Sequence, residues 1–185
     1  MRVIAGKARR LSLITPKGQG TRPTTDIIKE TLFNMIQNDL DDIRFLDLFA
    51  GSGGIGIEAL SRGARECVFV DSDREAVRCI YANLEHTKLI SQAKVLGYDY
   101  KKALRRLRGS GQFDMIFMDP PYSEHLESEA LELISDYELL KNDGTVIIEM
   151  TKEGQINALP EDFIIKREKI YKSNKHIFIG KETVS

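Results

Sequence analysis

The 185-residue chain contains no tryptophan and only two cysteines, Cys67 and Cys79. Their spacing matches neither a redox motif nor a zinc knuckle, so we expect two reduced, buried thiols. The three histidines, His86, His125 and His176, are scattered without metal-ligand spacing. We therefore expect no metal site.

Long hydrophobic runs are also missing. No stretch approaches the ~20 apolar residues of a membrane-spanning helix, and the opening residues 1–7 lack the apolar run of a signal peptide. These absences predict a cytoplasmic protein without membrane contact. The length and the 42% hydrophobic content suffice for one folded core, and we expect a monomer.

Acidic residues are absent from positions 1–25, which hold six basic ones. Because the whole chain has a net charge of −1, residues 26–185 carry −7. We therefore divide the chain into a basic N-terminal hairpin or arm, residues 1–25, and a main domain, residues 26–185. The asymmetry favours a nucleic-acid partner for the arm. Its candidate RNA-binding residues are Arg2, Lys7, Arg9, Arg10, Lys17 and Arg22.

A second acid-free basic cluster follows a later predicted strand. It comprises Lys101, Lys102, Arg105, Arg106 and Arg108. On a helix, a solvated face explains such a run as well as phosphate binding does. The sequence leaves both interpretations open.

From Phe45 onward, apolar strand-like runs alternate with helical patterns, which predicts an α/β fold with a doubly wound parallel sheet. The predicted strands are Phe45–Ala50, Cys67–Asp71, Ala93–Gly97, Met115–Met118 and Val146–Glu149, and the clearest helices are Arg74–Leu84 and Leu126–Leu140. Two final runs, Phe163–Tyr171 and Lys175–Ile179, predict a closing antiparallel hairpin.

A small extension precedes this sheet. Arg2–Ala5 and Arg10–Ile14 are partly alternating segments joined by a basic turn, which predicts a short β-hairpin. An amphipathic helix follows, with apolar residues at Ile28, Leu32 and Ile36.

The first predicted strand runs through Asp47 into the glycine turn Gly51-Ser52-Gly53 and then a helix. Such a turn lets the backbone approach a nucleoside-type ligand, which includes NAD, FAD, nucleotides and S-adenosylmethionine. Asp71 ends the next strand, where its carboxylate can accept hydrogen bonds from ribose hydroxyls. Asp99 ends the third strand, where it can bind an adenine amino group or simply cap a helix.

Asp47 helps to choose between these ligands. A carboxylate just before the turn suits a cofactor with an ammonium and a sulfonium better than one with phosphates. Its carboxylate can also bind loop amides, and both roles can coexist. The candidate cofactor-binding residues are Asp47, Phe49, Ala50, Gly51, Ser52, Gly53, Asp71, Ser72, Asp99 and Tyr100.

The sequence Asp119-Pro120-Pro121-Tyr122 follows another apolar strand and supplies the candidate catalytic residues. The lone pair of an exocyclic base amine is delocalised into the ring. The Asp119 carboxylate and the Pro120 carbonyl can each accept one N–H and so localise that pair. Pro121 stiffens the turn, and Tyr122 can stack on a base. This pattern predicts methylation of an amino group.

With these motifs, the chain resembles the bacterial 16S ribosomal RNA guanine-N2 methyltransferases, a class I S-adenosylmethionine-dependent family. The similarity includes the opening residues 1–6 and the stretches 22–26 and 29–34. It implies a seven-stranded sheet ending in an antiparallel hairpin. It also implies that Asp71 holds the ribose, Asp99 the adenine and Asp119-Pro120-Pro121-Tyr122 the target guanine of the small ribosomal subunit or its assembly intermediate.

Three alternatives remain at this stage. A DNA adenine-N6 methyltransferase shares the Asp-Pro-Pro-Tyr turn, although this chain has little length left for a target-recognition domain. A protein-glutamine methyltransferase faces the same lone-pair problem, but Asn would be expected at position 119. The third alternative is a methyltransferase-like RNA-binding module without activity, against which the intact Asp71, Asp99 and Asp119 argue.

Overall fold

The computed structural model describes residues 1–16, 23–121 and 126–182. Of residues 23–25 it describes the backbone alone. The helices in these ranges are α1 (Pro23–Ile36), α2 (Gly54–Ser61), α3 (Arg74–Thr87), α4 (Tyr100–Leu107) and α5 (Leu126–Asp136). The strands are β1 (Arg44–Leu48), β2 (Glu66–Val70), β3 (Ala93–Leu96), β4 (Phe113–Met118), β5 (Leu140–Thr151), β6 (Phe163–Ile170) and β7 (Asn174–Lys181). None of these helices is long and apolar enough to cross a bilayer.

The strands form one seven-stranded sheet in the order β3-β2-β1-β4-β5-β7-β6. Strands β1 to β5 run parallel, whereas β7 is antiparallel to both β5 and β6. The predicted α/β sheet with an antiparallel C-terminal hairpin is therefore confirmed. The order reverses between β1 and β4, and open sheets of this kind bind ligands outside the carboxyl ends of strands at such a point.

Helices cover both faces of the sheet, which is why the central strands are almost wholly apolar. Leu46 and Leu48 of β1 pack with α4 and α5 on one face. Phe45 packs on the other face with α1, α2 and α3. This two-sided burial is what makes the sheet doubly wound.

The predicted N-terminal hairpin is present in a reduced form. One antiparallel bridge joins Arg2 to Ser12. The backbone N–H groups of Ile4 and Ala5 instead donate to the two carboxylate oxygens of Glu58 in α2, at 2.8 and 3.0 Å. The segment therefore combines a short bridge between its two halves with hydrogen bonds to α2.

Residues 1–16 are packed closely on α2. Three of their apolar side chains belong to the main core: Val3, Ala8 and Leu13. The buried Glu58 that binds this segment also pairs with Lys29 at 3.3 Å and with Arg62 at 2.8 Å. The division of the chain at residue 25 therefore remains a prediction about function, because much of the arm shares the core of the main domain.

Several element boundaries differ from those expected. The first strand ends at Leu48 instead of Ala50, because Phe49 adopts a left-handed φ of 65° and leaves the extended conformation. Helix α5 ends at Asp136, four residues before the predicted end. Strand β5 is longer than predicted at both ends and spans Leu140–Thr151.

Candidate active site

A cavity of about 900 Å³ opens at the carboxyl ends of the strands, across the point where the strand order reverses. Eleven of the predicted site residues line it: Asp47, Phe49, Ala50, Gly51, Ser52, Asp71, Ser72, Asp99, Tyr100, Asp119 and Pro121. Gly53 and Pro120 lie in the same turns but do not line the cavity. Tyr122, like His125, lies outside the described residues.

The glycine turn leaves its backbone open to this cavity. Gly51 has a φ of 54°, and a Cβ placed there would meet no other atom within 4 Å. Further into α2, a Cβ at Gly56 would lie 2.3 Å from the Phe69 ring. The first glycine therefore provides a turn with free space beside it, and the later one allows α2 to pack closely on β2.

Asp71, at the end of β2, supports the glycine turn. Its Oδ2 accepts the backbone N–H of Gly51 at 2.8 Å, and its Oδ1 accepts that of Asp73 at 2.9 Å. Each carboxylate oxygen has a second lone pair, and the residue is half-buried at the cavity wall. Asp71 is therefore both a structural support and an available acceptor.

Asp47 is 1% exposed and accepts the backbone N–H of Gly56 at 2.8 Å. Burial is the main reason why the pKa of Asp47 is raised well above its usual range, and the nearby Asp71 and Asp119 add to it. The expected bond to a backbone amide is present, in the first turn of α2. A cation in the cavity would favour the ionised form of this side chain.

Asp99 and Tyr100 begin α4. Asp99 is exposed and caps the helix, accepting the backbone N–H of Lys102 at 3.0 Å. The Tyr100 ring packs on Phe49 with centroids 5.3 Å apart, and its hydroxyl donates to Glu129 at 2.6 Å. The capping alternative is therefore realised, while Asp99 and Tyr100 also line the cavity.

Asp119 follows β4 and is exposed to the open cavity. The surrounding protein desolvates its carboxylate and, together with the negative charge of Glu149, raises the pKa of Asp119 to about 8. Pro120 is buried beneath it, and Pro121 is exposed. The turn therefore presents a carboxylate and a stiff backbone to the same cavity as the glycine turn.

The sequence analysis missed a polar group next to Asp119, formed by residues of β5 and β7. Glu149 ends the apolar part of β5, and Asn174 and His176 of β7 line the cavity beside it. Asn174 Nδ2 donates to Glu149 Oε1 at 2.6 Å, and His176 Nε2 lies 3.1 Å from Glu149 Oε2. The end of an apolar strand was a usable signal for Glu149, as it was for Asp119. The placement of Asn174 and His176 depends on the β5–β7 register, which cannot be read from the sequence.

The predicted RNA-binding residues are either exposed or outside the described part of the chain. Four are exposed: Arg2, Lys7, Arg9 and Arg10. Lys17 and Arg22 lie outside the described residues. Met1 and Pro16 line the cavity, so both ends of this segment border the site.

Asn83 of α3 connects the N-terminal segment to the glycine turn. Its Nδ2 donates to the carbonyl oxygens of Ile14 and Ser52, both at 2.9 Å. Its Oδ1 accepts the backbone N–H of Ile14 at 2.9 Å. The position of the N-terminal segment is therefore coupled to the position of the glycine turn.

Sheet order, glycine turn and strand-end carboxylates together define a class I methyltransferase. A solved structure titled putative methyltransferase yhhF, from Escherichia coli, superposes with a TM-score of 0.84 at 32% identity and covers 98% of each chain. This likeness extends over the sheet and the N-terminal segment alike.

The family described as Conserved hypothetical protein 95 matches residues 1–180, and the chain belongs to it. Putative rRNA methyltransferase YlbH of Bacillus subtilis is 43% identical over 173 residues, which cover 92% of this chain and 94% of that protein. Ribosomal RNA small subunit methyltransferase D of Escherichia coli is 33% identical over 170 residues, which cover 92% and 84%. The family identified from the sequence motifs is confirmed.

Proposed function

We propose that the protein transfers a methyl group from S-adenosylmethionine to the exocyclic N2 amine of a guanine in 16S ribosomal RNA. The observation that carries this proposal is the meeting of the glycine turn and the Asp119-Pro120-Pro121 turn in one cavity. A cofactor and an amine can therefore be held side by side. The ribosomal substrate is supported by the names of the relatives, which are rRNA and small-subunit rRNA methyltransferases.

The cofactor is S-adenosylmethionine, which supplies an electrophilic methyl group on a sulfonium. The residues fit it. Gly51 leaves open space beside the turn. Asp47 and Asp71 line the same cavity, and the positive charge of the cofactor favours the ionised form of Asp47. We assign the ribose hydroxyls to Asp71 and the adenine amino group to Asp99, whose carboxylate faces solvent and has acceptor capacity beyond its helix cap.

Asp119 and Pro120 act on the amine. The carboxylate and the main-chain carbonyl each accept one N–H, which draws the nitrogen toward tetrahedral geometry and directs its lone pair. No strong base is needed before the transfer, because the nitrogen becomes acidic only afterwards. The N–H donors of the bound amine favour the ionised form of Asp119, so its carboxylate orients the amine first and takes up a proton later. We assign base stacking to Tyr122.

The partner in this proposal is the small ribosomal subunit or an assembly intermediate in the cytoplasm, bound by a monomer. A guanine in an RNA loop is turned out of its stack at lower cost than a paired base. Residues 1–16 reach the cavity at Met1 and Pro16, and their four exposed cations are available to contact phosphates of the surrounding RNA.

The test is transfer of labelled methyl from S-adenosylmethionine to small subunits that lack base modifications, followed by digestion to nucleosides. We expect labelled N2-methylguanosine from the native protein and at least a ~100-fold lower rate from Asp119→Ala, because one orienting acceptor is lost. Label in N6-methyladenine of parallel DNA, or in glutamine, would move the protein to another substrate class.

Cofactor binding is measured separately. S-adenosylmethionine at 100 times its dissociation constant stabilises a binding protein by about 2.7 kcal/mol, so we expect a rise in melting temperature for both the native protein and Asp119→Ala. No rise in either would indicate an inactive RNA-binding module.

A further inference from the structure

A second carboxylate lies beside Asp119 in the cavity wall, at the end of the neighbouring strand. Met118 of β4 pairs with Ile148 of β5 in the parallel register, so Asp119 and Glu149 occupy the next position on neighbouring strands. Neighbouring strands lie about 4.8 Å apart, and both side chains line the cavity. The proposed mechanism uses Asp119 but gives no role to Glu149.

Side chains of β7 hold the Glu149 carboxylate in one orientation. Asn174 Nδ2 donates to one carboxylate oxygen at 2.6 Å, and His176 Nε2 lies 3.1 Å from the other. His176 is 0% exposed, and its Nδ1 lies 3.0 Å from the Tyr171 hydroxyl. The Glu149 carboxylate can only accept, so Nε2–H of His176 donates to it. In the neutral imidazole Nδ1 is then an acceptor, and the Tyr171 hydroxyl donates to it.

This arrangement leaves acceptors, and not donors, directed at the cavity. Each Glu149 oxygen receives one hydrogen bond from β7 and has a second lone pair. The side chain is 18% exposed, so part of the carboxylate reaches the cavity surface. A ligand edge that carries two adjacent N–H groups would give one to Glu149 and the other to the neighbouring Asp119.

We propose that Glu149 recognises the N1–H of the target guanine, while Asp119 and the Pro120 carbonyl hold its N2 amine. This inference rests on the proposed guanine-N2 function and adds the group that selects the base. Guanine presents N1–H and N2–H on one edge, so its donors match the acceptors of the cavity wall. Adenine has an acceptor at N1, which would face the lone pairs of Glu149 without a proton between them.

Asn174 and His176 are positioning residues in this proposal. They do not contact the base and act by fixing the carboxylate. A site that is built to bind an N–H rejects an analogue without it strongly, because a polar group is left unpaired. We expect discrimination of about 100-fold or more between a base with N1–H and one without it.

The experiment compares guanine with 2-aminopurine in the same RNA. 2-Aminopurine keeps the N2 amine, but its N1 is an acceptor and C6 carries no oxygen. The methylated position is first located with the native protein and then replaced by 2-aminopurine in a ligated RNA. Absence of any methylguanosine at that first stage would contradict the proposed function itself, before Glu149 is tested.

The variant Glu149→Gln exchanges an acceptor for an N–H donor at nearly constant shape. We expect the guanine to 2-aminopurine ratio of kcat/KM to fall at least ~30-fold relative to the native protein, with guanine methylation reduced and 2-aminopurine methylation increased. The missing C6 oxygen affects both proteins equally, so the change in ratio reports on N1. Glu168→Gln, on β6 of the same sheet and outside the cavity, is the matched control and should leave the ratio unchanged.

Equal losses on both bases with Glu149→Gln, or no change on either, would overturn the proposal. If this variant does not fold, Glu149→Asp replaces it. That change keeps the negative charge and moves it by one methylene, so it should lower kcat/KM for guanine while the preference for N1–H persists. If Glu149→Asp lost both the preference for N1–H and its activity on guanine, the proposal would be contradicted.

Discussion

At the scale of single residues, the site consists of carboxylates whose environments differ. Asp71 is half-buried and bonded to two backbone amides, whereas Asp47 is enclosed and has a raised pKa. Asp119 has a pKa of about 8 because of desolvation and the charge of Glu149. Carboxylates with perturbed pKa values in one cavity are typical of a functional site.

The raised pKa of Asp119 predicts a pH-dependent stability difference for Asp119→Asn. An acid whose pKa rises from 3.8 in the unfolded chain to about 8 in the fold contributes stability that is complete below pH ~4 and lost as the pH rises through ~8. Asp119→Asn cannot titrate and does not lose stability in this way. The melting temperature of the variant minus that of the native protein should therefore increase between pH 5 and pH 9 and then stay constant.

Melting curves in one buffer series, without cofactor, check this prediction. Asp143→Asn, which changes an exposed carboxylate of β5, is the control and should track the native protein at every pH. Parallel curves for Asp119→Asn across the whole range would contradict the raised pKa.

At the scale of elements, α2 holds the N-terminal segment through one buried carboxylate. Glu58 is 0% exposed, binds two backbone amides of that segment and pairs with Lys29, itself 2% exposed. Removing one partner of a buried pair leaves an uncompensated charge. The contact between segment and helix therefore depends strongly on this residue.

We expect Glu58→Ala to lower the free energy of unfolding by about 3–5 kcal/mol, measured by urea denaturation. Glu66→Ala is the matched control. Glu66 pairs with Arg44 at the surface and is 43% exposed, so its loss should cost no more than about 1 kcal/mol. Similar costs for the two variants would show that the Glu58 network does not hold the segment.

The sequence predicted the individual strands and helices better than it predicted which side chains meet between them. Strands β1 to β4 are recognisable in the sequence because strands buried on both faces are continuous apolar runs without polar alternation. Glu149 and His176 pair across β5 and β7, and nothing local in either strand encodes that antiparallel register. The Asp99 cap was a stated alternative, since Asp is favoured both at helix N-caps and in binding sites.

At the scale of the whole molecule, hydrogen bonds connect the N-terminal segment to the glycine turn. Asn83 joins Ile14 to Ser52, and Met1 and Pro16 line the cavity. The charge asymmetry was visible in the sequence. The packing of the segment on α2 was not, because it depends on distant backbone contacts with Glu58 and Ser61.

We expect the double variant Arg9→Ala and Arg10→Ala to weaken RNA binding. Each lost phosphate contact should also reduce the slope of log affinity against log salt by about 1. The matched double variant Arg105→Ala and Arg106→Ala removes the same charge from the exposed face of α4 and tests whether that face also binds phosphates. An unchanged salt slope in the N-terminal variant would contradict the assigned role of the arm.

The most direct test of the central claim is nucleoside mass spectrometry of small-subunit RNA from cells that lack this protein. We predict that N2-methylguanosine disappears from one position and returns when the native protein is supplied, but not when Asp119→Ala is supplied at the same level. Unchanged N2-methylguanosine in the deficient cells, or full restoration by Asp119→Ala, would contradict the account.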